Sequence, residues 1–238
     1  YGDLGSSIYY ALGITALFAL GATPMAFLLA GFVFICTALS YAEMSSTFHE
    51  SGGSASYARH AFNDLISFTA GWGLLLDYIV TIAISAFTMG PYLSYFFPEL
   101  KDTYVQIGFT VAVIVGLLML NTLGSKESTR TSFFLMIFTV LTQLVIIIIG
   151  LFSIEDFTKF FILFSINKPG AAFSPFWAEF FNGTAMAMVA YTGIESIAQL
   201  SSETRIPVRT MPRAIIITTG ILIFMYFGLT YIGFSLIS

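Results

Sequence analysis

The chain has 238 residues, of which 57% are apolar and 9% charged, with 26 Phe and a mean hydropathy of +0.89. Soluble domains carry about 25% charged residues, so this composition excludes a water-soluble domain. Nine basic against thirteen acidic residues give a net charge of −4 without any basic run, which excludes a polyelectrolyte face for nucleic acid, and the single cysteine, Cys36, excludes a disulfide or a cysteine-based metal site.

Taken in chain order, the charge-free stretches organise the sequence, because a bilayer core needs about 20 apolar helical residues. Residues 4 to 42 carry no charge, about twice one span, and the turn signal Gly21-Ala22-Thr23-Pro24 divides them into spans 1 and 2. The Gly- and Ser-rich stretch Ser51 to Ala58 follows as an internal loop leading to a short interfacial helix. Span 3 runs from Leu65 to Phe97 and contains Asp77; residues 103–125, 131–154 and 214–238 supply spans 4, 5 and 7. Span 6, from about Phe180 to Leu200, carries Glu195, and a long external connection, about Glu155 to Ala178, precedes it. The chain opens on Tyr1, inside the first span and without a charged leader, and reads as a fragment.

Basic residues near span ends collect on the cytoplasmic side. Arg59, Lys126, Arg130, Arg205, Arg209 and Arg213 fall on one side and Lys101, Lys159 and Lys168 on the other, which puts the amino end in the cytoplasm of a multi-pass cell-membrane protein.

Two spans are interrupted at corresponding places. Span 1 begins Tyr1-Gly2-Asp3-Leu4-Gly5-Ser6-Ser7, and span 6 contains Ala190-Tyr191-Thr192-Gly193-Ile194-Glu195, small, polar and acidic where a lipid-facing helix uses Leu or Ile. They lie five spans apart, the pattern of transporters built from two inverted five-helix repeats whose first helices are discontinuous and bind substrate with freed backbone groups. The alternative is that small residues merely allow close helix packing. Asp3, Asp77 and Glu195 are acids at membrane depth, each costing at least ~2.5 kcal/mol unless paired or hydrated, and such groups mark ion or proton paths. For Glu195 a protonated carboxyl that ties an unwound backbone together stands beside the proton-carrying role.

Three stretches then carry a resemblance: Tyr41-Ala42-Glu43-Met44 with Phe48-His49-Glu50-Ser51-Gly52-Gly53-Ser54 and Tyr57-Ala58-Arg59; Gly71-Trp72 with Leu76-Asp77-Tyr78; and Tyr191 to Ser196 through Glu203-Thr204-Arg205-Ile206-Pro207 to Met211-Pro212-Arg213-Ala214-Ile215. They resemble the amino acid-polyamine-organocation (APC) superfamily, with His49 in place of a usual proline and Ser7 in place of the last glycine of a Gly-Ser-Gly break. The resemblance implies an all-α membrane protein of the LeuT/APC-type inverted-repeat transporter fold, truncated to helices 1 to 7. Residues 1–153 would be the first five-helix repeat, 154–179 an external loop and 180–238 an incomplete second repeat. It implies substrate binding at Gly5, Ser6, Ser7 and Ile8, whose amides would face a carboxylate, and at Ala190, Tyr191, Thr192 and Gly193, whose carbonyls would face an ammonium group, with Tyr191 gating. Some proton-coupled members place a lysine in helix 5, where Phe138 to Gln143 offers only Thr142 or Gln143.

The opening Tyr1 to Tyr10 also resembles KUP-type potassium transporters of the same superfamily, which implies cation or proton coupling at Asp3, Tyr10, Asp77, Thr81, Thr192 and Glu195. An intramembrane aspartyl protease lacks its Tyr-Asp pair at Leu76-Asp77-Tyr78, and no His-Glu-x-x-His zinc site occurs. A seven-helix receptor matches the span count but not the paired breaks. The expectation is therefore no enzyme, no cofactor and no metal. It is a secondary transporter that moves an amino acid, with a coupling proton, through the lipid bilayer by alternating access, with potassium as the alternative cargo.

Overall fold

The computed structural model describes residues 5–48, 50, 52–122, 125–154, 166–167, 173–204 and 206–237; within these, side chains at 125–129, 202–203 and 236–237 are not described. Asp3, His49, Lys159, Lys168 and Arg205, together with most of the expected external loop, lie outside the described residues. Among those described, the regular structure is helical: α1 (Ile8–Ala19), α2 (Thr23–Thr47), α3 (Ser54–Ala61), α4 (Asp64–Leu93), α5 (Thr103–Thr122), α6 (Ser125–Ser153), α7 (Trp177–Met188), α8 (Ile194–Gln199) and α9 (Pro207–Ile237).

Among the described residues, five helical runs are long and apolar enough to cross a membrane: Ile8–Thr47, Asp64–Leu93, Thr103–Thr122, Arg130–Ser153 and Pro207–Ser235. Seven spans were expected from the charge-free stretches, and both differences have a physical reason. The first run bends at a 3-10 turn, Leu20–Ala22, so it contains expected spans 1 and 2 as α1 and α2. Expected span 6 is split into α7 and α8, each too short to cross alone. The seventh helix begins at Pro207 rather than at residue 214; Pro is preorganised for a first helical turn, and exposed Arg209 and Arg213 keep their charges outside the apolar part.

Local chemistry sets the corners. Leu20 adopts φ 45°, and the next amide, Gly21, donates to the Phe173 carbonyl at 2.9 Å. A Cβ on Gly21 would stand 2.8 Å from that oxygen, so the segment at Phe173 closes over this corner because glycine is there. Asn63 caps α4 by accepting the Ile66 amide at 2.9 Å. Pro91, inside α4, has no N–H for the Phe87 carbonyl four residues earlier, and Gln106 of α5 donates its side-chain amide there at 3.1 Å.

α9 packs along α2, while α7 packs against both α1 and α2. Their shared core holds Phe27, Ala30, Phe34, Tyr191, Ile215, Leu222 and Tyr226. Lipid tails are as apolar as leucine, so helices associate by close packing through small residues. A Cβ on Gly183 of α7 would lie 2.7 Å from Ala19 of α1, and one on Gly150 of α6 would collide with Ile232 of α9. Large apolar residues such as Phe68, Ile79, Leu118, Phe138 and Ile149 project outward from α4, α5 and α6, the composition of a lipid-facing surface.

Candidate functional site

The chain leaves helical geometry between α7 and α8. A 3-10 turn, Val189–Tyr191, leads to an extended Thr192 (φ −69°, ψ 154°) and then to Gly193 at φ 108°, ψ 0°, a conformation that side chains resist. The backbone groups freed there are met by side chains, as a water-free interior requires. Tyr226 of α9, fully buried, donates its hydroxyl to the Ala190 carbonyl at 3.0 Å. Tyr191 donates to the Phe27 carbonyl of α2 at 2.9 Å, and its ring lies 5.0 Å from Phe34 and 5.1 Å from Tyr226. Gly31 provides the notch, since a Cβ there would be 2.9 Å from the Tyr191 hydroxyl oxygen. Glu195, 7% exposed, accepts the Gly193 amide at 3.3 Å, and Thr192 donates to the Val189 carbonyl at 3.0 Å.

Beside this break is a cavity of about 410 Å³, lined by Thr37 and Tyr41 of α2, Asp77 of α4, and Tyr191, Thr192 and Glu195. It gathers two carboxyl groups, those of Asp77 and Glu195. The arrangement suits an amine or a cation, both of which accept oxygen ligands.

The first helix is interrupted more gently. Gly5 and Ser6 are helical, Ser7 is a turn with φ −63° and ψ −23°, and α1 starts at Ile8. The Tyr10 hydroxyl donates to Ser7 Oγ at 2.8 Å, and Gln143 of α6 donates to the Gly5 carbonyl at 3.0 Å. Ser6, Tyr9 and Tyr10 line a second cavity, of about 490 Å³, with Ser85, Thr88 and Tyr92 of α4. The Tyr92 hydroxyl donates to the Tyr9 carbonyl at 2.6 Å.

The expected site residues therefore divide. Asp77, Tyr191, Thr192 and Glu195 share the first cavity; Ser6 and Tyr10 share the second; Gly5, Ser7, Ile8, Thr81, Ala190 and Gly193 line neither. Thr81 is half-buried one turn beyond Asp77, and Ile8 is buried at the start of α1. The Ala190 carbonyl, expected to face an ammonium group, is engaged by Tyr226 in this conformation. Tyr226 is a contributor that sequence reasoning missed: a tyrosine within a run of apolar residues is the available signal, since a buried phenol needs an acceptor where a phenylalanine does not.

The far end of α8 is anchored from the α2–α3 connection and from α4. Ser201 donates to the Glu50 carbonyl at 2.9 Å, Gln199 donates to the Tyr78 hydroxyl at 2.8 Å, and Gly53, at φ 52°, has room for a Cβ only 3.3 Å from Gln199. Hydrogen bonds from Ser56, at 2.7 Å, and from His60 hold the Glu50 carboxyl below the usual carboxylate range.

A family model described as amino acid permease matches residues 2–238. The chain is 28% identical over 250 residues to the branched-chain amino acid permease BcaP of Lactococcus lactis, covering 96% of this chain and 52% of that protein. It is 28% identical over 264 residues to cationic amino acid transporter 9 of Arabidopsis thaliana, covering 99% and 44%, and 24% identical over 231 residues to the low-affinity putrescine importer PlaP of Escherichia coli, covering 92% and 48%. The chain spans about half the length of these curated relatives. With a family match over nearly its whole length and five membrane-length apolar helices, this multi-pass membrane protein belongs to the amino acid permease family.

Proposed function

We propose that the chain is part of a secondary transporter that moves amino acids across a cell membrane by alternating access, with proton coupling. The observation that carries this reading is the cavity beside the Thr192–Gly193 break, where Asp77 and Glu195 meet Thr192 and Tyr191. The substrate amine is held there by the carboxylates, and its carboxylate turns toward the amides at Ser6, Ser7 and Ile8, where a helix start favours negative charge. Asp77 and Glu195 are the groups on which a coupling proton rests, because a buried carboxyl changes its charge when its surroundings change. In this reading residues 1–153 form one five-helix repeat, 180–238 begin the inverted second, and the amino end is cytoplasmic. The named relatives carry amino acids or putrescine, which supports an amine-bearing cargo; the potassium alternative draws no support from these matches.

The test is uptake by the full-length protein in proteoliposomes, with labelled leucine, lysine and putrescine and with rubidium as a potassium analogue. Saturable uptake of an amino acid that collapses with an uncoupler, and that Asp77→Asn or Glu195→Gln abolishes, is the expected result. Rubidium uptake without any amine uptake overturns the reading. Cysteines placed near Arg59 and Arg209 should be shielded from an impermeant thiol reagent in intact cells, and labelling of both from outside overturns the orientation.

A further inference from the structure

The acidic cavity beside the broken helix is drawn out along α2 and α4. Its α2 lining runs from Ala30 to Tyr41 and its α4 lining from Asp77 back to Ala70, so both sides lead toward the turn into α3. Under α3 is a further cavity, of about 280 Å³, lined by Ser40 and Met44 of α2 and by Tyr57, Ala58 and Ala61 of α3. The residues that line both cavities are Tyr41 and Ser54.

The two sides of this partition belong to different helices. Tyr41 is on α2; its hydroxyl faces that of Ser54, and its ring meets the Tyr57 ring edge-on at 5.9 Å. Ser54 opens α3, which packs on α4 and is fastened there by Ser67, whose hydroxyl donates to the Ala55 carbonyl at 2.7 Å. Just before it come Gly52 and Gly53, at φ 145° and 52°, where the absence of a Cβ lets the chain turn without strain. A shift of α2 against α4 therefore parts the two hydroxyls and leaves both helices intact.

Tyr57 shows what the closed arrangement costs. It is 7% exposed, and its hydroxyl has no hydrogen-bond partner among the described residues, so the phenol has given up its bonds to water without replacement. Water admitted between Tyr41 and Ser54 reaches that hydroxyl on one side and the acidic cavity on the other. The hydration regained at Tyr57 offsets part of the cost of opening.

We propose that Tyr41 and Ser54 form a gate between the acidic cavity and the pocket under α3, through which water enters and the coupling proton leaves between α2 and α3; this role rests on the transporter reading above. On opening, the O–H bond of a protonated carboxyl at Asp77 or Glu195 breaks as a bond to a water oxygen forms, and the proton passes toward α3 as hydronium. The titratable groups around Tyr41 are Tyr57 of α3, Tyr78 of α4 and Glu195 of α8, with Asp77 in the same cavity. The passage runs apart from the two interrupted helices.

The test uses the full-length protein in proteoliposomes that enclose a pH-sensitive dye, under an imposed pH gradient and without amino acid. Tyr41→Ala removes the gate from the α2 side, and Ser54→Gly opens it from the α3 side with little change in packing. Ala58→Trp, added to either, fills the pocket beyond the gate. Thermal unfolding identifies any variant that does not fold, and labelled leucine and lysine uptake by wild type is measured in parallel.

The expected result is a proton flux about tenfold above wild type in Tyr41→Ala and about threefold above it in Ser54→Gly, returned to the wild-type level in both by Ala58→Trp. Wild-type flux in Ser54→Gly and in folded Tyr41→Ala, with amino acid uptake intact in wild type, overturns the gate and leaves the transporter reading standing. A leak that Ala58→Trp leaves in place overturns the passage between α2 and α3. Leaking variants of a wild type that takes up neither amino acid overturn the amino acid reading and leave the gate standing.

Discussion

Two interruptions of similar composition take different depths in this molecule. Between α7 and α8 the chain passes through an extended Thr192 and a left-handed Gly193, whereas at Ser7 it keeps right-handed helical angles. The difference tracks one residue type. A β-carbon in a left-handed conformation costs about 1–2 kcal/mol, so Gly193 can reverse the backbone twist and Ser7, standing where the family resemblance has a glycine, does not. The deeper break is also the better tied: Tyr226 from α9 and Glu195 of α8 each hold a backbone group of it, and Tyr191 of the break is itself anchored to the Phe27 carbonyl of α2. Unwinding in a membrane thus needs two things together, a residue that tolerates the turn and donors or acceptors to replace the lost ladder.

The largest expected effect is from Gly193→Ala. At φ 108° and ψ 0° an added methyl group stores about 1–3 kcal/mol of backbone strain, so thermal unfolding of the full-length protein should shift by that amount and uptake should be lost. Wild-type stability and uptake in this variant would remove the distinction between the two breaks. Tyr226→Phe comes next. It keeps the ring among Phe27 and Tyr191 but leaves the Ala190 carbonyl without its hydroxyl donor, for a cost of about 0.6–2 kcal/mol measured by the same unfolding. Amide exchange should increase around Thr192 and stay unchanged in α1.

The sequence carried the helical class, the corner at Gly21 to Pro24 and the break around Gly193, because charge-free length and glycine placement are local signals. It placed Asp77 and Glu195 at membrane depth, and the fold brings them to one cavity. What it did not carry was the pairing of side chains with distant backbone groups. Tyr226 lies 36 residues from Ala190, and Gln143 lies 138 residues from Gly5; nothing in either neighbourhood says which carbonyl each will meet. The two interruptions differ in depth for a related reason. Composition records that residues are small and polar, but the φ angle is decided by whether a Cβ is present at the one position that must turn.

Ser7→Gly sharpens the comparison from the other side. It removes the acceptor for the Tyr10 hydroxyl and gives α1 the residue that its counterpart already has. The expected cost is roughly 0.5–1 kcal/mol, and the clearer readout is faster amide exchange at Tyr10 and Ala11, whose N–H groups both reach the Ser7 carbonyl. Exchange rates equal to wild type would mean that the shallow break is set by packing around α1 and not by the missing glycine.

The smallest effect is a pH dependence confined to the deeper break. Hydrogen bonds from Ser56 and then His60 lower the Glu50 carboxyl, so the folded state binds that proton more weakly than the unfolded chain does. A carboxyl depressed in this way contributes stability that is fully present above its unfolded value, about 4.3, and that is lost as pH falls through the lower folded value. The neighbouring Glu50 carbonyl accepts from Ser201, within the turn that follows α8, so loosening this loop releases the carboxyl end of the broken helix. Protection of the Tyr57 amide, which donates to Gly53, and of the Ser196 amide, which donates to Gly193, should fall below about pH 4, while Ala11 in α1 keeps its protection. Glu50→Gln cannot titrate and should flatten the profile. Parallel loss at Ala11, or an unchanged profile in the glutamine variant, would show that acid acts on the bundle as a whole and that the α8 anchor is no separate device.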